Sequence, residues 1–300
     1  MWNRTNFWRG VSLLLVASVI QSAAWSIVRR HDAPDSQYLA LGNSPQFAGV
    51  GIVAGNSGAG SGTVIANGWW VLTAAHVVYN NPNLVFQLGA STYTVQNVYI
   101  HPNYNPSDLS YGGDIALLEL SAPVTGVTPA LINTSLNPIG QVGFSVGYGM
   151  TGTGLTGYTT YDGQRRAMTN EINFYLSSYN SSSEWILSDF DHPTNSTYSS
   201  MGGTTALPRE GLVAPGDSGG PVFILASGNW YIAGVHSFIA DLGPPWGNGN
   251  PDARYGDIQA STNVALYAGW IEATVPEPAS LLALATGVVG LLARRRMRQS

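Results

Sequence analysis

Three short blocks of the sequence carry residues whose types and spacing could do chemistry. The most specific block is Gly216-Asp217-Ser218-Gly219-Gly220-Pro221, in which a serine is flanked by glycines. Because glycine has no Cβ, the backbone beside Ser218 can approach another molecule closely. Acyl transfer needs N–H donors at such a point, since negative charge builds on the carbonyl oxygen in the transition state. We therefore interpret Ser218 as a candidate nucleophile and the N–H groups of Gly216 and Ser218 as candidate oxyanion-hole donors.

Two further blocks supply what a serine nucleophile requires. Serine needs an adjacent base, and histidine titrates near neutral pH; His76 ends the block Leu72-Thr73-Ala74-Ala75-His76. Asp114 precedes the apolar run Ile115–Leu120, where a buried carboxylate would bind an imidazole N–H and fix the histidine tautomer. Alone, His76 would be a structural histidine and Asp114 a turn residue. Together, the three blocks favour a Ser-His-Asp catalytic set.

The elements that must position these residues are short strands. Runs of four to eight apolar, β-branched and aromatic residues recur between turn dipeptides such as Asn67-Gly68. A helical period occurs only in Asn263–Ala273, and residues 150–206 and 240–253 have the composition of long loops. This pattern predicts an all-β barrel or sandwich with one late helix. The predicted strands are Ala48–Val53, Gly62–Ala66, Trp69–Leu72, Leu84–Leu88, Thr92–Ile100, Ile115–Leu120, Val142–Val146, Ala167–Tyr175, Glu184–Leu187, Val222–Leu225, Tyr231–His236 and Arg254–Gln259.

Composition excludes several classes of function. The 300-residue chain has a formal net charge of −5 and no lysine, which is the wrong sign for a nucleic-acid binder. It has no cysteine, so disulfides, thiol catalysis and thiolate metal sites are all excluded. Neither a His-Glu-x-x-His pattern nor an EF-hand pattern occurs. We therefore expect no metal and no cofactor.

The N-terminal residues 1–26 predict a secretory signal. Arg4 and Arg9 precede the apolar run Val11–Ile20, and small residues follow it. Signal peptidase would cut after Ala24 or after Ser26. The alternative is a retained anchor, although ten apolar residues are short for a bilayer.

The C-terminal residues 275–300 show three parts in order. Val275-Pro276-Glu277-Pro278 is followed by the apolar run Ala279–Ala293 and then by an arginine-rich end. This tail resembles the PEP-CTERM sorting tail of Gram-negative bacteria. The resemblance implies processing by an exosortase after transient membrane contact through the tail, with the protein released or held at the cell surface. A plain membrane anchor is the alternative, and both put the domain of residues 27–274 outside the cytoplasm.

The order of the three blocks along the chain is His76, Asp114, Ser218, which differs from the orders of subtilisins and α/β-hydrolases and agrees with that of chymotrypsin. The sequence resembles the chymotrypsin/trypsin-like serine endopeptidases of the bacterial, cysteine-free kind, over roughly Ala48–Glu272. The resemblance implies an all-β fold of two six-stranded β-barrels with a C-terminal helix, a catalytic cleft between the barrels, and a protein or peptide substrate. It also implies that Ser237 supports Asp114 and lies beside the bound peptide.

The resemblance also suggests a specificity pocket. Leu212, six residues before Ser218, stands where trypsin-like members have an aspartate, and Ile239, two residues after Ser237, stands where a glycine keeps the pocket open. Phe238 lies between Ser237 and Ile239. Together, Leu212, Ser237, Phe238 and Ile239 predict a small or apolar pocket that favours Ala or Val over Arg.

An activation step is a further expectation from the resemblance. A cut after Ser26 would free Ile27, whose amine would pair with Asp217 as in the family. Because Arg29 and Arg30 depart from the family pattern, the alternative is that Asp217 is satisfied internally. A second alternative concerns the whole chain: a non-catalytic surface or matrix protein that keeps the scaffold for binding.

Overall fold

Residues 26–202 and 205–276 are described by the computed structural model, and most of them lie in or between short strands. The predicted signal segment up to residue 25 and the tail from residue 277 lie outside the described residues, so their predicted roles stay predictions. Among residues 26–202 and 205–276 no helix combines the length and the apolar character needed to cross a bilayer.

The first half of the chain closes into a six-stranded barrel. Its strands pair antiparallel in the order β2-β3-β4-β7-β6-β5, and the β2–β5 pairing closes the ring. Alternating side chains point inward, and Val53, Phe86 and Leu118 are fully buried on the inner face. The strands are β2 (Val50–Gly55), β3 (Gly58–Ile65), β4 (Trp70–Thr73), β5 (Val85–Leu88), β6 (Ser91–Ile100) and β7 (Ala116–Leu120).

The second half contains an eight-stranded sheet. Seven strands follow the order β12-β9-β16-β17-β18-β14-β13, and β8 pairs with β17. The expected six-stranded barrel is therefore found in the first half, while the second half has a larger sheet. Its strands are β8 (Leu131–Ile132), β9 (Val142–Gly147), β12 (Arg166–Glu171), β13 (Phe174–Leu176), β14 (Trp185–Asp189), β16 (Pro221–Ala226), β17 (Asn229–Ala240) and β18 (Ile258–Asn263).

A four-stranded sheet incorporates the start of the described chain. Its order is β11-β10-β1-β15, with β1 (Val28–Arg29), β10 (Thr151–Thr153), β11 (Gly157–Thr160) and β15 (Gly211–Leu212). Val28 pairs with Gly152 on one side and with Leu212 on the other. The residues after the predicted signal cut are thus built into the fold.

Three α-helices occur among the described residues: α1 (Asp35–Gly42), α2 (Ala75–Val78) and α3 (Ala268–Thr274). The predicted late helix is found as a 3₁₀ turn, Val264–Tyr267, followed by α3. Helix α1 was not predicted, because its apolar residues follow no helical period. Tertiary contacts hold it: Asp35 forms a two-pronged ion pair with the buried Arg166, at 2.7 and 2.8 Å.

The two predicted loop regions differ in outcome. Residues 241–257 form a connection between β17 and β18, so the predicted loop 240–253 is found, whereas the strand predicted at Arg254–Gln259 begins only at Ile258. Within residues 150–206, β12, β13 and β14 lie where the strands Ala167–Tyr175 and Glu184–Leu187 were predicted. Strands β10 and β11 were not predicted, since short Gly- and Thr-rich strands carry little apolar pattern.

Candidate active site

His76 lies at the junction of the first barrel and the short helix α2. Strand β4 ends at Thr73, and buried Ala74 and Ala75 fix the turn into α2. The side chain of His76 is 25% exposed. Thr73 pairs with Ala116 on β7, so antiparallel pairing brings the residue after β4 close to the residue before β7.

Asp114 lies two residues before β7, and it is fully buried. Its Oδ2 lies 2.8 Å from His76 Nδ1, and its Oδ1 accepts the backbone N–H of His76 at 2.9 Å. Burial alone would raise the pKa of Asp114, but the charge and hydrogen bonds of His76 and the hydroxyl of Ser237 outweigh it and hold this pKa below its usual value. For His76, burial lowers the pKa, yet the Asp114 charge prevails and the net pKa is raised.

Ser237 reaches Asp114 from the other half of the molecule. Its Oγ donates to Asp114 Oδ2 at 2.5 Å. In the β17–β18 ladder His236 pairs with Ser261 and Phe238 with Ala260, so Ser237 is the extra residue of a bulge. A bulge re-aims a side chain, and here it turns the hydroxyl of Ser237 toward the carboxylate.

The glycine-rich block around Ser218 packs against the strands that lead to His76. The carbonyl of Ser218 accepts the N–H of Ser61 on β3 at 2.7 Å. Gly219 has φ +80°, and a Cβ there would collide with Thr73 Oγ1 and Ser61 O. A Cβ on Gly60 would lie 2.7 Å from the carbonyl oxygen of Ser218 and 2.8 Å from Val77, the neighbour of His76. The fold therefore brings the segment of Ser218 beside that of His76.

The backbone at this block leaves two donors free. Gly216 has φ +95°, and its carbonyl accepts the hydroxyl of Ser61 at 3.0 Å. Within residues 26–202 and 205–276, the amides of Gly216 and Ser218 donate to no acceptor. They are available to an oxygen atom of a bound molecule.

Asp217, between those two residues, is turned inward and is fully buried. Its carboxylate accepts the amides of Gly149 at 3.0 Å and Ala214 at 2.9 Å. Burial raises the pKa of Asp217 well above its usual range, against these hydrogen bonds. In the described part of the chain the carboxylate has no salt-bridge partner.

Comparison with known proteins identifies the family. The Trypsin family model matches residues 40–271, which is more than half of the chain. The chain belongs to the trypsin family. As a trypsin-family protein with elastase relatives, it is a serine endopeptidase. A second model, the PEP-CTERM protein-sorting motif, matches residues 274–296.

Relatives of this trypsin-family chain include animal elastases. It is 32% identical over 203 residues to chymotrypsin-like elastase family member 1 of Felis catus, covering 61% of this chain and 68% of the relative. It is 30% identical to the Macaca fascicularis protein of the same name, covering 71% and 77%. The solved structure of mouse neuropsin, a serine protease, matches with a TM-score of 0.56 at 18% identity, covering 78% of this chain and 96% of neuropsin. This likeness shows the fold.

The residues expected to form the specificity pocket of the trypsin-family chain divide between two apolar clusters. Leu212 is fully buried among Val28, Ala214 and Tyr255, and the half-buried Ile239 packs against the same cluster. Phe238 packs instead against Trp185, with ring centroids 5.6 Å apart. Leu212 and Ile239 therefore belong to one apolar cluster and Phe238 to another.

Sequence reasoning missed several residues that hold the site. Thr262 Oγ1 donates to the Asp114 carbonyl at 3.0 Å, and Ser61 contacts both Gly216 and Ser218. No local motif marks either residue, since both act through strand pairing. His236 is buried, with Nδ1 3.1 Å from Ser261 Oγ; burial lowers its pKa to about 3. In the part of the trypsin-family chain that the structure describes, no three metal-ligating side chains cluster.

Proposed function

We propose that this chain is an exported serine endopeptidase in which Ser218 is the nucleophile, His76 the general base and acid, and Asp114 the group that orients His76. The observation that carries the proposal is the hydrogen bonding of His76 Nδ1 and its backbone N–H to one buried carboxylate. Because Asp114 accepts, Nδ1 bears the proton and Nε2 keeps its lone pair. Nε2 is then the atom that removes the proton of Ser218.

The reaction follows the usual two stages. Ser218 Oγ attacks the peptide carbonyl carbon while its proton passes to His76 Nε2, and the tetrahedral intermediate forms. The imidazolium gives this proton to the leaving amine, so that an acyl-enzyme remains. Water then attacks the acyl-enzyme while His76 takes its proton, and His76 returns that proton to Ser218 Oγ as the C–O bond breaks and the carboxylic acid product leaves. Asp114 stabilises the imidazolium by charge in both stages.

The amides of Gly216 and Ser218 are proposed to bind the oxyanion. Their freedom from other acceptors supports this role. Gly216 also has a positive φ. Residues with a Cβ disfavour this backbone conformation, so the glycine at this position supports the role of its N–H as an oxyanion donor. Removing one such donor costs roughly 10²–10³ in kcat.

The substrate preference is proposed to be a small or apolar residue before the scissile bond. Burial of Leu212 and the apolar contacts of Ile239 support it, as do the elastase relatives. Peptide p-nitroanilides that differ only at this residue provide the test. We expect Ala or Val to exceed Arg in kcat/KM; a preference for Arg would contradict the proposed pocket.

Maturation is proposed to need only signal removal. Ser26 and Ile27 are fully buried, and the Ile27 amide is among the groups that oppose the rise in the pKa of Asp217. A cut after Ser26 would put a cationic amine against a buried carboxylate that otherwise has only neutral donors. Arg29 and Arg30 do not oppose this: Arg29 donates to the Ala33 carbonyl at 2.7 Å, and Arg30 pairs with Asp32 at 2.6 Å. N-terminal sequencing of the exported protein would reveal Ile27; a start at Trp25 would exclude this route.

Export and sorting follow from the two ends of the chain. Signal peptidase is the proposed partner at the N-terminus and an exosortase at the PEP-CTERM tail, with the product at the cell surface or in the extracellular matrix. The peptidase domain is proposed to span residues 27–274. Mass spectrometry of the exported product would show a chain that lacks both ends.

The decisive experiment is labelling by a fluorophosphonate, which needs an activated serine. The protein exported from the full-length gene is compared with its Ser218→Ala variant, alongside hydrolysis of casein. We expect labelling and hydrolysis in the first and neither in the second. Correctly folded wild-type protein without either activity would favour a scaffold kept for binding.

A further inference from the structure

A second buried carboxylate lies directly behind Asp114. Glu184, the residue before β14, is 1% exposed, and its Oε1 accepts the backbone N–H of Gly113 at 3.0 Å. Gly113 is the residue that precedes Asp114, so this contact acts on the peptide that carries the catalytic carboxylate.

Tyr267 completes the arrangement from the turn before α3. Its hydroxyl donates to Glu184 Oε1 at 2.5 Å and accepts the same Gly113 N–H at 2.9 Å. Tyr267 is 5% exposed. One backbone amide is therefore shared between two side chains that are themselves hydrogen-bonded, and these side chains come from the second half of the chain.

The two glycines before Asp114 adopt a backbone conformation that depends on the contacts with Glu184 and Tyr267. Gly112 and Gly113 both have φ +75°, a conformation that other residues adopt only with strain. A Cβ on Gly112 would lie 2.5 Å from Glu184 Oε2. Two glycines in a row are flexible in isolation, so the position of Asp114 depends on what holds them.

We propose that Glu184 and Tyr267 are positioning residues, which fix the Gly112-Gly113 turn and thereby aim the Asp114 carboxylate at His76. The inference rests on the catalytic role of Asp114 proposed above. Neither Glu184 nor Tyr267 belongs to a sequence motif. Through these two residues, the second half of the chain contributes to the position of the Asp114 carboxylate in the first half. Misplacement of a catalytic group by about 1 Å costs on the order of 10²-fold in rate.

The role is one of hydrogen-bond geometry, and charge is not required for it. Burial raises the pKa of Glu184, although Tyr267 and the Gly113 amide oppose the effect. A glutamine keeps an oxygen that accepts from both Gly113 and Tyr267. The conservative variant should therefore rescue what removal of the side chain destroys.

The chain offers a matched control pair in the first barrel. Tyr99 on β6 and Glu119 on β7 are also linked by a tyrosine hydroxyl and a carboxylate, at 3.3 Å. Tyr99 is 37% exposed, and the pair contacts neither His76 nor Asp114. Substitutions there report the generic effect of breaking such a link.

The test compares kcat, KM and thermal unfolding in exported full-chain protein carrying single substitutions. We expect Tyr267→Phe to lower kcat about 10-fold and Glu184→Ala about 100-fold, with KM within about twofold and activity measured well below the unfolding temperature. Glu184→Gln should stay within about threefold of wild type, as should Tyr99→Phe and Glu119→Gln. The variant Asp114→Asn is measured beside them.

The outcomes separate the two proposals. If Asp114→Asn is fully active, the catalytic assignment fails. If Asp114→Asn is inactive while Tyr267→Phe and Glu184→Ala retain full kcat in folded protein, the positioning role alone is wrong. Equal losses in Glu184→Gln and Glu184→Ala, or losses confined to KM, would also overturn it.

Discussion

Removal of the Ser237 hydroxyl is the sharpest perturbation of the proposed catalytic set. Ser237→Ala deletes one of the three hydrogen bonds that the Asp114 carboxylate accepts, while the backbone of the bulge stays in place. The lost bond is 2.5 Å long and runs from a hydroxyl to a buried anion. Such charge-assisted bonds are the strong ones.

The expected loss follows from that bond. Hydrogen bonds to charged groups contribute about 1.5–3 kcal/mol, and about 1.4 kcal/mol is a factor of ten in rate. The ceiling is thus about 100-fold in kcat. Because part of the bond is made equally in the ground state and the transition state, only the difference affects kcat. We expect a decrease of about 10-fold, with KM nearly unchanged.

The assay is steady-state hydrolysis of a p-nitroanilide peptide at pH 8 together with thermal unfolding. The control is Ser188→Ala, another buried serine, on β14, whose hydroxyl makes no contact with Asp114. An unchanged kcat in Ser237→Ala would refute the reasoning that this bond holds the carboxylate. A loss expressed only in KM would show that the hydroxyl acts on substrate instead.

Three further outcomes are expected. Asp114→Asn should lower kcat/KM about 10⁴-fold. Because the Asp114 charge raises the pKa of His76 and His76 acts as a base when neutral, the acidic limb of the residual pH–rate profile should move to lower pH. An unmoved limb would contradict the coupling between Asp114 and the pKa of His76. Gly219→Ala should lower the free energy of unfolding by more than about 1 kcal/mol, measured by urea denaturation, because φ is +80° and a Cβ meets Thr73 and Ser61; Gly228→Ala, at φ +79° in open space, is the control. Burial raises the pKa of Glu210 to about 8, so the folded state favours the neutral form, and the melting temperature should fall as pH rises from about 5 to 8. Glu210→Gln should make this fall less steep. An equally steep fall in the variant would exclude Glu210 as its source.

Much of the candidate site was predictable because its key residues stand in short, contiguous blocks. Ser218 and Asp217 are marked by their glycines, His76 by the end of an apolar strand and Asp114 by the start of another. The first barrel was also predictable, since each strand shows its own apolar pattern. Helix α1 was not, because Asp35 and Arg166 are far apart in sequence and only the folded chain pairs them.

The sequence by itself indicated which chemistry to expect: a serine beside candidate backbone donors, a histidine and a carboxylate, on an all-β framework. Only the tertiary structure decided how that carboxylate is held. Ser237 reaches Asp114 through a bulge, Thr262 binds its carbonyl, and Glu184 with Tyr267 fixes the peptide before it. The local sequence determines secondary-structure propensity and hydrophobic pattern over only a few residues. Contacts between residues more than 70 positions apart depend on strand register and on the packing of the two halves of the chain.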